Sequence, residues 1–183
     1  MKATGTFIKT GIFALLAVAF MATTTLAQER GNDKPRQSPN ASVSQTIGTT
    51  VVSITYGRPS VRGRHVFGEL EPFGKVWRTG ANEATTITFS DDVQIGGRTL
   101  EAGTYGLFTI PEEEEWTIIF NNVPAQWGAF DYDSSQDALR VKAEPQKADT
   151  REQFMIHFEN VTDTSADVVL HWENTKVPFT VET

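Results

Sequence analysis

From residue 41 onward, apolar and polar positions alternate in short runs rich in β-branched residues, the pattern of half-buried strands. SVSQTIG at 42–48 and TVVSITY at 50–56 form a first pair, with Gly48 and Thr49 at the turn. TTITF at 85–89 is a third strand, ended by Ser90, Asp91 and Asp92. VQI at 93–95 and RTL at 98–100 flank Gly96-Gly97, a two-residue hairpin signal. TYGLFTI at 104–110 stops at Pro111, the run Glu112, Glu113, Glu114 and Glu115 makes an exposed tip, and WTIIF at 116–120 returns. LRVKA at 139–143 is followed by a polar connection at 145–150. The last strands are QFMIHFENV at 153–161 and DVVLHWE at 167–173, and residues 177–181 close the chain.

No segment after residue 40 carries a helical period, except for a short turn around 68–73 that Pro72 limits. Strand runs recurring roughly every ten residues predict an all-β antiparallel β-sandwich or jelly-roll-like domain. Two stretches break the pattern, and both predict long ordered loops. The first, at 56–85, mixes Gly57, Gly63, Gly68, Gly74 and Gly80 with Arg58, Arg62, Arg64 and Arg78, and also with Val66, Phe67, Leu70, Phe73 and Trp77. Solvated linkers are seldom so aromatic, and strands do not tolerate this much Gly and Pro. The second, at 121–137, combines Trp127, Phe130 and Tyr132 with Asp131, Asp133 and Asp137. Pinned loops of this kind usually carry function.

The N-terminus changes the picture of the mature chain. Lys2 and Lys9 precede an apolar run at 11–21, and Thr25-Leu26-Ala27 offers small residues for cleavage, so residues 1–27 read as a secretory signal peptide. Residues 28–40 are polar with Pro35 and Pro39 and read as a flexible mature N-terminus, leaving 41–183 as a single all-β domain. The run is too short to span a bilayer, so no membrane association is expected after cleavage. The expected location is periplasmic or extracellular. Cysteine is absent, which excludes disulfides, thiolate metal sites and a Cys nucleophile. The formal charge of −7 falls to about −9 without Lys2 and Lys9, which argues against nucleic acid as a partner.

Several blocks together resemble a known family. They are SPNASVSQTIG at 38–48, YGRPSVRGR at 56–64, FGELEPFGKVWRTGANEATTITF at 67–89, AGTYGLFTIP at 102–111, and WTIIFNN followed by QWGAFDYD. This set is similar to the bacterial DUF2911 family, exported proteins common in the Bacteroidetes group. The resemblance implies an all-β exported domain and brings no established activity.

Three constellations carry candidate chemistry. Arg58, Arg62, Arg64, Arg78, Thr79, Asn82 and Glu83 could meet a carboxylate, phosphate or sugar hydroxyl, with Trp77, Trp127 and Tyr132 as flat apolar faces. The same residues could instead pair among themselves and with Asp131 and Asp133 to hold two loops on the sandwich. In the last hairpin, strand alternation places His157, Glu159, His171 and Glu173 on one face, and a turn centred on Thr164 would set His157 opposite His171 as a weak metal site. Glu83 with Asp131 or Asp133 could form a catalytic carboxylate pair, and His65 beside Arg64 could act as a base. No G-x-S-x-G, H-E-x-x-H or phosphate-loop motif occurs. The residues call for no cofactor and leave the oligomeric state open. The reading is a domain that binds a small polar or anionic ligand, a glycan included, in a pocket built where the two loops meet. The alternatives are a carboxylate-dependent hydrolase of a glycan or small ester, and a structural or protein-interaction domain.

Overall fold

The structure is a computed structural model that describes residues 30–183; the expected signal peptide lies outside the described residues. Ten strands follow in order: β1 (Asn40–Ile47), β2 (Thr50–Gly57), β3 (Thr85–Phe89), β4 (Val93–Ile95), β5 (Arg98–Leu100), β6 (Gly103–Ile110), β7 (Trp116–Asn121), β8 (Asp137–Ala143), β9 (Gln146–Glu159) and β10 (Ser165–Glu182). They form a six-stranded sheet, β1-β2-β3-β6-β7-β8, and a four-stranded sheet, β5-β4-β10-β9. All pairings between these strands are antiparallel. The two sheets pack together as a sandwich and do not close into a barrel.

Alternation explains why this happens. In β2, Val52, Ile54 and Tyr56 point inward, and in β9 Phe154 and Ile156 do the same. Together with Trp116, Phe120, Leu170 and Trp172 they fill one continuous core between the sheets. Burying such side chains is the main favourable term in folding. The outer face of β6 and β7 holds a smaller apolar cluster of Phe108, Ile119 and Ala84, against which Val76, Ala129 and Tyr132 of the two loops pack. The irregular stretches are therefore held to the sandwich by their own apolar residues.

Three expectations are corrected. All but the first residue of the polar connection at 145–150 belongs to the start of β9, which pairs with β10 through Lys147↔Thr175 and Gln146↔Lys176. It is an edge strand with much of its surface in solvent, so its backbone pairing leaves no apolar alternation to read. The break after residue 173 is likewise absent, because β10 runs on to Glu182. A bulge sits there instead: Glu173 has φ 53° and the register shifts on both sides of it. Buried positions switch from Ala166, Val168, Leu170 and Trp172 to Val177, Phe179 and Val181, and this phase inversion looks like a loop in the sequence. The short helix around 68–73 is a pair of turns, closed by hydrogen bonds from Glu71 N–H to the Val66 carbonyl (2.9 Å) and from Gly68 N–H to the Glu71 carbonyl (3.0 Å). A single 3-10 turn, Ser134–Gln136, lies in the second loop, where Asp133 accepts from the Ser135 N–H.

Candidate functional site: an arginine-lined cavity

The first loop leaves β2, runs beside the edge of β9, and then crosses to β6. Val61 N–H donates to the Glu152 carbonyl (2.8 Å) and Phe154 N–H to the Pro59 carbonyl (2.9 Å), so residues 59–61 extend the four-stranded sheet by a short bridge. Arg62 and Gly63 turn the chain with φ of 52° and 67°. Further on, Trp77 and Thr109 exchange backbone hydrogen bonds of 2.7 and 2.9 Å, which fastens the loop to β6.

Trp77 is 2 % exposed and belongs to the core, where Phe67, Trp116, Phe154 and Trp172 surround its indole. It does not offer a stacking face to a ligand, contrary to expectation. Thr79 is also fully buried, held at φ 53° by hydrogen bonds to Thr109 and from the Thr85 hydroxyl to its carbonyl (2.6 Å). A β-branched residue in the left-handed region is strained. Its role is to turn the chain so that Arg78 and residues 80–82 border the cavity.

That cavity has a volume of about 240 Å³. Its walls include Ser60, Arg62, Arg64, Glu71, Arg78 and Asn82, with Trp172 beneath and Gln37 and Ser38 of the N-terminal arm on one side. Two close approaches of backbone shape it. A Cβ on Gly57 would run into the Ala81 carbonyl, and one on Gly80 would lie 2.9 Å from the Gly57 carbonyl oxygen. Only glycine at both positions lets the 80–82 segment lie against β2. Asn82 (φ 66°) is a residue suited to the left-handed region, and its amide donates to the Ser38 carbonyl (3.0 Å).

The cations differ in how they are employed. Arg64 donates from Nε to the Val61 carbonyl (2.9 Å) and from Nη2 to the Ser60 carbonyl (2.7 Å). Arg58 is structural, donating from Nε to the Phe154 carbonyl (2.9 Å) outside the cavity lining. Arg78 Nε is buried and has no hydrogen-bond partner among the described residues, and the same holds for the indole Nε1 of Trp172. Two orphan donors thus belong to residues that border one cavity. Both nitrogens are shut off from solvent, so an acceptor in the cavity would reach them only after a local shift of these side chains.

Glu71 is the acid in the wall. Burial pushes its carboxyl up to about 7, against the opposing pull of Arg78 and Arg64. Glu83, 4 % exposed, faces elsewhere: Arg36 Nη1 donates to both of its oxygens at 2.9 and 2.7 Å, and Arg30 Nη1 lies 3.6 Å away. Burial raises the Glu83 carboxyl, but the hydrogen bonds from Arg36 and the backbone and the charges of Arg36 and Arg30 outweigh it, leaving the group below the ordinary range. Burial lowers Arg30 to about 10. The partners of Glu83 are therefore arm residues, neither Arg78 nor the aspartates of the second loop.

The second loop does meet the first. Gly128 N–H donates to the Asn82 carbonyl (3.0 Å) and Ala84 N–H to the Gln126 carbonyl (2.9 Å). Its side chains nevertheless stay out of the cavity lining. Trp127 is 54 % exposed, while the Tyr132 hydroxyl donates to Asp137 (2.7 Å) and accepts from Arg140 (2.8 Å). Burial and the Asp137 contact push Tyr132 up to about 12. Asp133 accepts from Ser135 N–H and hydroxyl, and Asp131 is exposed, so the carboxylate pair expected with Glu83 is not assembled. Of the expected ligand residues, Arg62, Arg64, Arg78 and Asn82 line the cavity.

In the last hairpin the register differs from expectation: His157 pairs with Val169 and His171 with Met155. The two rings are diagonal neighbours with centroids 6.2 Å apart. His171 Nε2 lies 3.0 Å from the Asp149 carbonyl and must carry the hydrogen, while Nδ1 accepts from Arg151 (3.3 Å), so neither nitrogen has a lone pair for a metal. Among the described residues no group of three or more acids and histidines is placed to hold an ion. His65, the suggested base, sits 3.0 Å from Glu173, whose hydrogen bond raises its pKa.

Glu71, Trp172 and the arm residues Arg30, Arg36, Gln37 and Ser38 had no signal in the sequence. Glu69 and Glu71 look alike there, and alternation assigns Trp172 to the core alone.

Fold and site define an antiparallel two-sheet sandwich with a small cationic cavity between a long loop, an N-terminal arm and the core. The chain belongs to the family described as Protein of unknown function (DUF2911), whose model matches residues 38–181. No curated protein and no solved structure matches it.

Proposed function

We propose that this domain binds a small oxyanion in the cavity beside Arg78. One observation carries the reading: Arg62, Arg64 and Arg78 border the same cavity, against a single acid, Glu71. Arg62 and Arg64 add positive charge, and arginine suits the planar geometry of carboxylate, sulfate or phosphate. At about 240 Å³ the cavity is small, which suits a small acid better than a polymer segment. A glycan is less well supported, because Trp77 is buried and Trp127 and Tyr132 lie outside the lining. The hydrolase alternative loses its acid–base pair, since Arg36 holds Glu83 and Ser135 holds Asp133. Export to the periplasm or beyond remains part of this proposal, as does the absence of nucleic acid among its partners.

Calorimetric titration with sulfate, phosphate and small mono- and dicarboxylates, at matched ionic strength, tests the reading. Saturable binding of at least one anion, lost in Arg78→Ala, is expected. No binding by any of them would overturn it. The interaction-domain alternative retains one observation, the 82 % exposed Phe130 beside the exposed Trp127. Self-association by light scattering, abolished in Phe130→Ser, would favour it.

A further inference from the structure

The cavity contains its own counter-charge. Glu71 lies in the same wall as Arg64 and Arg78, yet no described residue donates a hydrogen bond to its carboxylate and none forms an ion pair with it within 4 Å. The arginines are occupied or displaced. Arg64 is turned to the Ser60 and Val61 carbonyls, and Arg78 Nη1 lies 3.8 Å from where a Cβ on Gly128 would stand. The other charged group lining the cavity is Arg62, whose backbone N–H is tied to Glu152 (3.0 Å). Of the neighbours in the turn, His65 directs its ring to Glu173, and Glu69 is exposed. The arm contributes Gln37 and Ser38, and β10 contributes Trp172, all uncharged.

An oxyanion seated on Arg78 would therefore meet a second negative group in a half-buried space. Repulsion between like charges in such a space is strong, and it is relieved by adding a proton. A protonated Glu71 would also become a donor, able to serve the anion directly.

We propose, on the basis of the oxyanion reading, that the ligand and a proton bind together: Glu71 is neutral whenever the anion occupies the arginines. The reaction is a simple balance. The free proton is taken up by the Glu71 carboxylate as the anion enters and is released to water as it leaves. The site would then hold its ligand in mildly acidic surroundings and let go in mildly alkaline ones. Burial already places the Glu71 carboxyl near neutrality, the range in which such a device responds.

Sulfate is the probe, because its own charge does not change between pH 6 and pH 8. If only the neutral form of a group titrating near 7 binds, affinity falls about tenfold from pH 6 to pH 8, with about half a proton taken up at pH 7. Calorimetry in buffers of different ionisation enthalpy measures that uptake. Glu71→Gln should bind sulfate at pH 8 as tightly as the wild type does at pH 6, whereas Glu69→Gln should leave the profile unchanged. Carboxyl carbon NMR of the wild-type protein follows Glu71 directly, and its titration should move upward when sulfate is added. Sulfate binding that is equal at both pH values, or a Glu71 that titrates in the ordinary carboxylate range, would overturn the proposal while leaving the oxyanion site intact. No sulfate binding at either pH would overturn this proposal, and the oxyanion reading falls with it if phosphate and the carboxylates also fail to bind.

Discussion

The indole of Trp77 lies almost parallel to that of Trp172, at 19° with centroids 5.8 Å apart. One ring comes from the long loop and the other from β10, so this stack joins the irregular part of the chain to the four-stranded sheet. Trp172 also borders the cavity, and Trp77 donates from its indole to the Gly80 carbonyl (3.1 Å) at the cavity wall. Trp172 belongs to both the core and the cavity wall, and Trp77 supports that wall from within the core.

Trp77→Ala should therefore cost more than a typical loop substitution. The expected loss is about 3–5 kcal/mol, the range for removing a large aromatic from a packed core. Chemical denaturation of the wild type and variant measures it directly. A loss below about 1 kcal/mol would mean that the loop is not anchored through this ring.

Gly57→Ala tests the wall from the other side. Its new methyl group would collide with the Ala81 carbonyl, so β2 and the 80–82 segment must separate. Lower thermal stability and loss of sulfate binding are expected together. An alanine at Gly63, where a Cβ meets nothing but φ is 67°, should show a smaller stability loss and retained binding.

Arg58 and Arg78 look equivalent in the chain but should behave differently. Arg58→Ala removes a charged donor to the Phe154 carbonyl, a contact of the kind worth about 1.5–3 kcal/mol. Arg78→Ala removes no hydrogen bond among the described residues, so stability should change by less than about 0.5 kcal/mol while anion binding is lost. Urea midpoints and sulfate calorimetry on both variants separate the two roles.

The Arg36–Glu83 pair should make the fold sensitive to acid. Glu83 is held below its ordinary value, so its contribution is fully present above the unfolded carboxylate range, about pH 4.3, and fades as pH falls through the lower folded value. Glu83→Gln should lower the melting temperature at pH 7, and the gap to the wild type should shrink below about pH 4. A gap that stays constant across that range would show that the charge of Glu83 is not what holds the arm.

Most strands were legible because side-chain alternation reports which face is buried, and here one face of each strand meets the core. The first loop was legible as an ordered element from its aromatics, and Arg78 and Asn82 as candidates from their donors. Legibility failed where pairing and burial part company. The exposed half of β9 has backbone partners but little apolar pattern, and the bulge at Glu173 reverses the pattern without ending the strand. The register of His157 and His171 depended on where the hairpin turns, which two residues either way would change.

By itself the sequence determined the all-β class, the order of the strands and the loop that supplies most of the cavity lining. Those depend on local periodicity and turn residues, which act over a few neighbours. Only the tertiary structure decided which groups meet: that Glu83 is taken by Arg36 and Arg30, that Glu71 and not Glu69 lines the cavity, and that Trp172 of the core also borders it. Such pairings join residues far apart in the chain, and they follow from how the loop, the arm and two sheets pack. A long side chain with several rotatable bonds carries no mark in the sequence of the partner it will find.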